Sequence, residues 1–567
     1  MRRWPILLLG AAIAISSLLL LYLGRGQTPV VDQWAYIYAY MPWTVESLLT
    51  PHSGHLVILP VLVYKAMFEL FGIESQVPYQ LLNLALSATV AALLFALTRN
   101  AVGDLLAFAA ATLMLFYGAG ADVLIPTFQI TNLIGIATGL GMLLALRRQT
   151  VRGDVGACLL LAMSLASMSI GVAFAAGAAL ALALRPPGGR LRRCWVVLVP
   201  VIFYVSWAIW ARKFGQQTIY VHNLKVLGSA FVDQLGAVLA GITGLFTTPN
   251  GPKPGANPVP IRTTWGPALV VGLAALLILR LRRPPRPSPQ ALVAVAVLVV
   301  YFLLVGISLN AFRNTFDTRL VYLGSVLTLL AVAELCAPWR PTRTAIGAIG
   351  AVLAFSLCAN IVELSDSAKG WRGQWDSTKA KLGAVQLAGD AGVRSVLVEE
   401  PPDAMSFDVA TAHRIAAEFG LPAYSEASLK AAAAGTRQVA DEELGRVLAL
   451  EPIAGTRPRP LPGGPPVRVE VVSAGEARQL GGCVVVEPSA GGTGKALLRL
   501  PRGGIAYTSN APVEVALERF AETPTISFPP RSGPTVLGIP ADAGRTAWRA
   551  SVKAAARTLF CPAGRPV

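Results

Sequence analysis

The sequence predicts a polytopic α-helical membrane protein with a soluble C-terminal region of helices and strands. Three observations predict it. The 567 residues are 54% hydrophobic and only 14% charged, whereas soluble domains carry about 25% charged residues. Apolar runs recur from Leu7 to Ile361, each near the roughly 20 residues that cross a hydrocarbon core. After Glu363 the chain becomes charged and rich in Pro and Gly, with short strand-like runs. The expected division is a membrane domain over 1–363, an α/β or helical linker over 364–463, and a β-sandwich-like domain over 464–567.

The net charge of +17 does not point to nucleic acid as a partner. Arginines gather at the ends of apolar segments, which is the footprint of topology rather than of a phosphate-binding face. Met1-Arg2-Arg3 and the apolar run to Leu23 imitate a secretory signal, but Gly24-Arg25-Gly26-Gln27 is a poor cleavage site. An uncleaved first span with a cytoplasmic N-terminus is therefore expected. An external loop over 24–78 follows. Within it, 55–72 carries Pro60 and an i,i+4 pair of Lys65 with Glu69, which suits a helix in the headgroup layer better than a span.

With that helix in the interface, the later basic clusters fall inside: Arg147, Arg148 and Arg152, then Arg185, Arg190, Arg192 and Arg193, then Arg280, Arg282, Arg283 and Arg286, then Arg340 and Arg343. That satisfies the positive-inside rule. Ala157–Leu184 is long for one span and basic at both flanks, so a hairpin turning near Ser169-Ile170-Gly171 is predicted. The count comes to about eleven spans in the plasma (inner) membrane, with the C-terminal domain external. Further external loops are expected at roughly 213–264 and 309–318.

The first external loop carries Asp32-Gln33-Trp34, His52-Ser53-Gly54-His55, the interfacial helix and Phe71-Gly72-Ile73-Glu74-Ser75, with a span starting at Pro78-Tyr79. This order resembles the GT-C superfamily of polyprenyl-phosphate-sugar-dependent glycosyltransferases, particularly the protein mannosyltransferase and lipid A aminoarabinose transferase branch. Thr318-Arg319-Leu320-Val321-Tyr322, at the mouth of a late span, is similar to the Arg-Tyr element of that superfamily. The likeness covers about residues 5–150, and the later helices in layout only. Ser53-Gly54 stands where relatives have Pro-Pro, His55 is an additional histidine, and Gln33 replaces a second acid.

The resemblance implies a sugar transfer from a polyprenyl-phosphate donor to a glycan, lipid or protein acceptor on the external face. No cofactor is required for it, although in some branches the first acid also touches a divalent metal. Asp32 is then the general base that takes the acceptor proton; the bland reading is a loop acid beside an interfacial aromatic belt. His52 and His55 form a His-x-x-His that binds donor phosphate, orients Asp32 or caps the interfacial helix. Two imidazoles without a third ligand are a weak metal signal. Arg313 and Arg319 suit a lipid phosphate at interfacial depth, with headgroup snorkelling as the alternative. Lys65, Asp122 and Tyr322 complete the candidate substrate-binding set.

Gly491-Gly492-Thr493-Gly494-Lys495 looks like a phosphate loop, but Ser489 and Ala496 break the pattern. In the soluble region, Val467–Val472, Cys483–Glu487, Ala496–Leu500 and Val513–Phe520 read as strands between Gly/Pro turns. Cys483 and Cys561 are the only thiols there, and an external location predicts that they are bridged. Two other functional classes stand beside the transferase: a transporter, and a non-catalytic scaffold for envelope assembly. Few ionisable residues lie mid-span, where coupled transport usually needs them.

Overall fold

The computed structural model describes residues 4–30, 32–38, 43–185, 191–216, 219–246, 265–282, 284, 286–310, 313–337, 342–399, 405–455 and 465–563. The side chain of Asp32 and residues Arg190, Arg283 and Arg340 lie outside the described ones. The chain divides into two compact units, one of 1–71 with 75–372, the other of 72–74 with 373–567.

In the first unit, helix α1 (Trp4–Leu23) is followed by α2 (Asp32–Tyr38), α3 (Val45–Leu49), α4 (Ile58–Phe71) and α5 (Val77–Leu115). Twenty apolar residues make α1 about 30 Å long, enough to cross the core. Leu9 and Ala12 of α1 pack on Ala91, Phe95, Ala107 and Ala111 of α5. The hydroxyl of Ser16 donates to the Leu115 carbonyl at 2.6 Å, so α1 also satisfies the far end of α5. Gly103 interrupts α5 with φ +83°, a conformation that L side chains rarely adopt, and divides it into two segments. Arg99 and Asp104 pair across that break at 2.9 Å.

The bundle continues through α6 (Ala121–Leu124), α7 (Ile130–Arg147), α8 (Val151–Leu165), α9 (Ile170–Ala183), α10 (Trp195–Ala211), α11 (Leu227–Thr243), α12 (Gly266–Leu281), α13 (Pro289–Ile307), α14 (Thr318–Leu335) and α15 (Arg343–Ala388). Among the described residues, eight helices are long and apolar enough to cross a membrane, with Ile170–Ala183 and Gly266–Leu281 as shorter apolar companions. The apolar stretch 157–184 is a hairpin of α8 and α9. A Cβ on Gly171 would meet the Leu165 amide nitrogen at 2.5 Å, so the turn depends on that glycine's size.

Two boundaries differ from the sequence reading. Residue 363 falls inside α15, which runs on through Ser365, Asp366, Gly370 and Gly373 without a proline to stop it, so the change of composition does not mark a helix end. The segment 213–264, expected as an external loop, contains α11. Asp233 and Gln234 disguise that helix in the sequence, while its small residues pack closely. A Cβ on Gly241 would meet the Tyr117 hydroxyl at 2.0 Å, and one on Gly236 would meet Gly266 at 3.0 Å.

Among the described residues, the second unit contains α16 (Val409–Phe419), α17 (Glu426–Ala431), α18 (Ala434–Val447) and thirteen strands. The first two strands, β1 (Val396–Glu399) and β2 (Met405–Phe407), form a small antiparallel ribbon. A six-stranded antiparallel sheet follows the order β3 (Pro452–Ala454), β11 (Thr535–Ile539), β8 (Gly503–Thr508), β13 (Thr558–Pro562), β6 (Cys483–Glu487) and β5 (Glu476–Leu480). A five-stranded one follows β10 (Ile526–Ser527), β9 (Val513–Glu518), β12 (Arg549–Ala554), β7 (Gly494–Arg499) and β4 (Arg468–Ala474). Alternate residues of β7, β9 and β12 are buried, as expected of sheets with one face on a core. The Asp441 carboxylate of α18 accepts from the amides of Arg519, Phe520 and Ala521 at 2.8–3.1 Å, fastening that helix to the end of β9.

Cys483 of β6 and Cys561 of β13 are joined by a disulfide. It closes a loop of 78 residues, which on the chain-entropy account stabilises the unit by about 4 kcal/mol. Cys483→Ser is expected to lower its unfolding free energy by that order, and peptide mapping of the wild-type chain without reductant should recover the linked pair. Recovery of two free thiols would contradict the bridge.

Glu426 supplies a pH-dependent fastening. Burial pushes its carboxyl up, but hydrogen bonds from the Thr546 hydroxyl and the Arg545 and Thr546 amides outweigh that and hold it down at about 2. A folded value below the unfolded one of about 4.3 gives stability that is complete above that pH and lost as pH falls toward 2. Glu426→Gln should flatten the acid limb of unfolding in that window. An unchanged limb would show that the carboxylate contributes nothing.

Candidate functional site

Between α5 and α7 the chain leaves regular helix for residues 116–129, with only short turns and α6. Peptide groups in such a segment need internal partners within an apolar bundle. The Asn83 amide donates to the carbonyls of Val123 and Leu124 at 3.0 and 3.2 Å, and Gln27 donates to that of Ile125 at 2.8 Å. The Tyr64 hydroxyl donates to the Thr127 carbonyl at 2.6 Å, and Asn360 accepts from the Ala119 amide at 3.1 Å. These bonds hold Asp122 in place.

The Asp122 carboxylate accepts from the Trp371 indole at 3.0 Å and from the Thr318 hydroxyl. Burial pushes its carboxyl above the ordinary range against those two donors, and nearby Asp317 pushes the same way, while Arg319 opposes it. Asp317 caps α14, and its carboxylate accepts from the Arg319 amide at 3.2 Å and from Arg319 Nε at 2.7 Å. Tyr322, one turn further, is fully buried with its ring 6.2 Å from that of Tyr117. A Cβ on Gly120 would come within 2.6 Å of the Tyr322 ring, so this approach requires glycine.

A second group adjoins through Arg313. Its guanidinium Nη2 lies 3.2 Å from His55 Nε2, and His55 Nδ1 lies 2.6 Å from the Ser169 hydroxyl at the start of α9. Because guanidinium only donates, Nε2 is the acceptor and Nδ1 carries the proton toward Ser169. His55 is thereby held as a neutral, oriented imidazole. Burial pushes Arg313 below its ordinary value, with Arg319 acting in the same direction and Asp317 against it. Arg319 and Asp317 thus act on both Arg313 and Asp122.

His52 and His55 pair through their backbones, each amide donating to the other's carbonyl at 3.0 and 2.9 Å. The turn between them places Ser53 and Gly54 at positive φ. The His52 ring lies 5.1 Å from Tyr36, which stacks 4.9 Å from Tyr64. Both ring nitrogens of His55 are engaged in these contacts. Among the described residues, no group of three or more His, Cys, Asp or Glu is arranged to hold a metal ion. Lys65 is buried in α4 with Nζ 4.5 Å over the Trp43 ring; burial lowers its pKa and Glu69 opposes that.

The structure therefore brings together His55, Arg313, Asp122 and Arg319 and sets Tyr322 behind them, while the described contacts of Lys65 lead to Trp43. Asp32 opens α2, but its side chain lies outside the described residues. Neighbouring Gln33 donates to Gln76 at 3.1 Å, and Thr127 donates to the same oxygen at 3.1 Å. Sequence reasoning missed Trp371 and Ser169 as members of the cluster. Trp371 is 249 residues from Asp122 and carries no local signal. Ser169 was visible only as a turn residue.

The Asp122–Trp371 bond is testable by a double-mutant cycle of Asp122→Asn and Trp371→Phe, read by unfolding in detergent. A coupling of about 0.5–3 kcal/mol is expected, and strict additivity would remove the bond. No known protein family matches the chain and no curated protein does, so the chemistry of this cluster is read from its own geometry.

Proposed function

We propose that the protein is an inverting glycosyltransferase that moves a sugar from a polyprenyl-phosphate donor to a glycan, lipid or protein acceptor at the external face of the plasma membrane. It does so within a GT-C-like bundle of about eleven spans, with the N-terminus cytoplasmic and the C-terminal β-sandwich-like domain external. The observation that carries this reading is the gathering of Arg313, Arg319, Asp317, Asp122 and His55 at one end of an apolar bundle. Arginines suited to a lipid-borne phosphate stand there beside carboxylates and an oriented imidazole. A contrasting basic group at the opposite helix ends supports the orientation. There Arg147 pairs with Glu334, and Asp154 lies 3.8 Å from Arg185 and 3.0 Å from Arg193.

In the reaction, the acceptor oxygen attacks the anomeric carbon as the bond from that carbon to the donor phosphate breaks, inverting the centre. The polyprenyl phosphate leaves with the bonding electrons, facing Arg313 and Arg319. The acceptor proton passes to the carboxylate of Asp32, whose position in the first loop matches the early acid of GT-C enzymes. Phosphate leaves readily, so positioning, proton removal and charge stabilisation suffice. Asp122, held by Thr318 and Trp371, fixes the mouth of α14 beside Arg319. His52, His55, Lys65 and Tyr322 are assigned to the walls of the substrate site.

The test is transfer from defined polyprenyl-phosphate sugars by the purified full chain. Asp32→Asn should lower turnover by about 10²–10⁴-fold while donor binding persists. Glu46→Gln should stay active, since Glu46 is exposed and 3.5 Å from Lys213. Arg319→Lys should weaken donor binding, because it keeps the charge and loses the planar fork. Wild-type turnover in Asp32→Asn would end its assignment as base. Uptake of a solute by vesicles, with no transfer from any donor, would replace the transferase reading with a transporter.

A further inference from the structure

The opposite end of the bundle contains a cavity of about 230 Å³ between α7, α9, α13 and α14. Its walls are Leu143, Ala181, Val293 and Leu330, and its mouth carries Arg147 and Arg185. We propose that this cavity holds an anionic phospholipid, with the phosphate between Arg147 and Arg185 and the first part of one acyl chain against the apolar wall.

Three features select that occupant. Arg147 is paired with Glu334, and Arg185 shares Asp154 with Arg193, so among the described ion pairs three guanidinium groups face two carboxylates, an excess of positive charge. Pro289 and Gln290 also line the cavity at the first turn of α13, a helix of 19 residues whose N-terminal dipole favours an anion. Apolar walls then run inward from this charged rim along α7, α13 and α14, helices long and apolar enough to span. The volume is below the roughly 300–1,000 Å³ of pockets that enclose a drug-sized ligand. It suits a headgroup phosphate and the start of a chain, the remainder lying along the bundle surface. A free phosphate leaves the apolar wall uncovered, whereas a zwitterionic lipid leaves the charge uncompensated.

The experiment is native mass spectrometry of the full chain in detergent, titrated with phosphatidylglycerol or with phosphatidylcholine of identical chains. Phosphatidylglycerol should bind roughly five-fold more tightly, the scale of one basic residue near a membrane anion. Arg185→Gln should erase that preference. Ala181→Leu, which narrows the wall and leaves the charges alone, should lower occupancy by both lipids. Equal binding of the two lipids by the wild-type chain would overturn the proposal. So would full phosphatidylglycerol occupancy in Ala181→Leu, or displacement of the lipid by inorganic phosphate alone.

Discussion

The membrane unit is organised by the need to pair the peptide groups of residues 116–129 without help from water. Asn83, Gln27, Tyr64 and Asn360 meet that need from four separate segments. Each brings one polar head into an otherwise apolar bundle and bonds the backbone it supports. An unpaired peptide group in such surroundings costs several kcal/mol, roughly the full desolvation penalty. The irregular stretch therefore has few alternatives to the path it follows. Asp122 lies on that path, which is why its carboxylate meets Thr318 and Trp371, residues from distant parts of the chain.

The two ends of the bundle solve the charge problem differently. Where Arg147, Arg185 and Arg193 gather, the carboxylates of Glu334 and Asp154 lie directly against them, and helix-end carbonyls take further donors. Arg147 reaches the Leu97 carbonyl at 2.8 Å and Arg280 that of Leu335 at 2.9 Å. Those arginines also tie neighbouring helices together. At the other end Asp317 pairs with Arg319 at 2.7 Å, and burial moves Asp122 and Arg313 toward their neutral forms.

Legibility in the sequence followed the range of the physics. Features set by local composition were readable: the apolar runs, the helical hairpin of 157–184 with basic flanks, the strand runs after 465, and the pair of cysteines. The turn at Ser169 was readable because a run of 28 residues between arginines fits poorly as one span. Helix α11 was not, because its burial depends on Gly236, Gly241 and Ala237 approaching other helices, and small residues look neutral in a hydropathy scan. Of the candidate site, Arg313, Arg319 and Asp122 could be chosen from their places beside spans. The links that join them could not. Trp371 sits in a helix that reads as an ordinary polar extension, and the orientation of His55 is decided by partners 114 and 258 residues away.

The bridge between β6 and β13 also bears on how the second unit comes into being. Strand β13 lies between β8 and β6, in the middle of the six-stranded sheet, yet among the described residues it follows every other strand of that sheet in sequence. During synthesis the strands destined to flank it emerge first and wait with open edges. Only when residue 561 appears can β13 fill the gap, and the sulfurs then seal it. Thereafter a protease cut in any loop between the two cysteines severs the chain without separating its halves. A single nick between those cysteines thus leaves the strands on either side of it covalently joined.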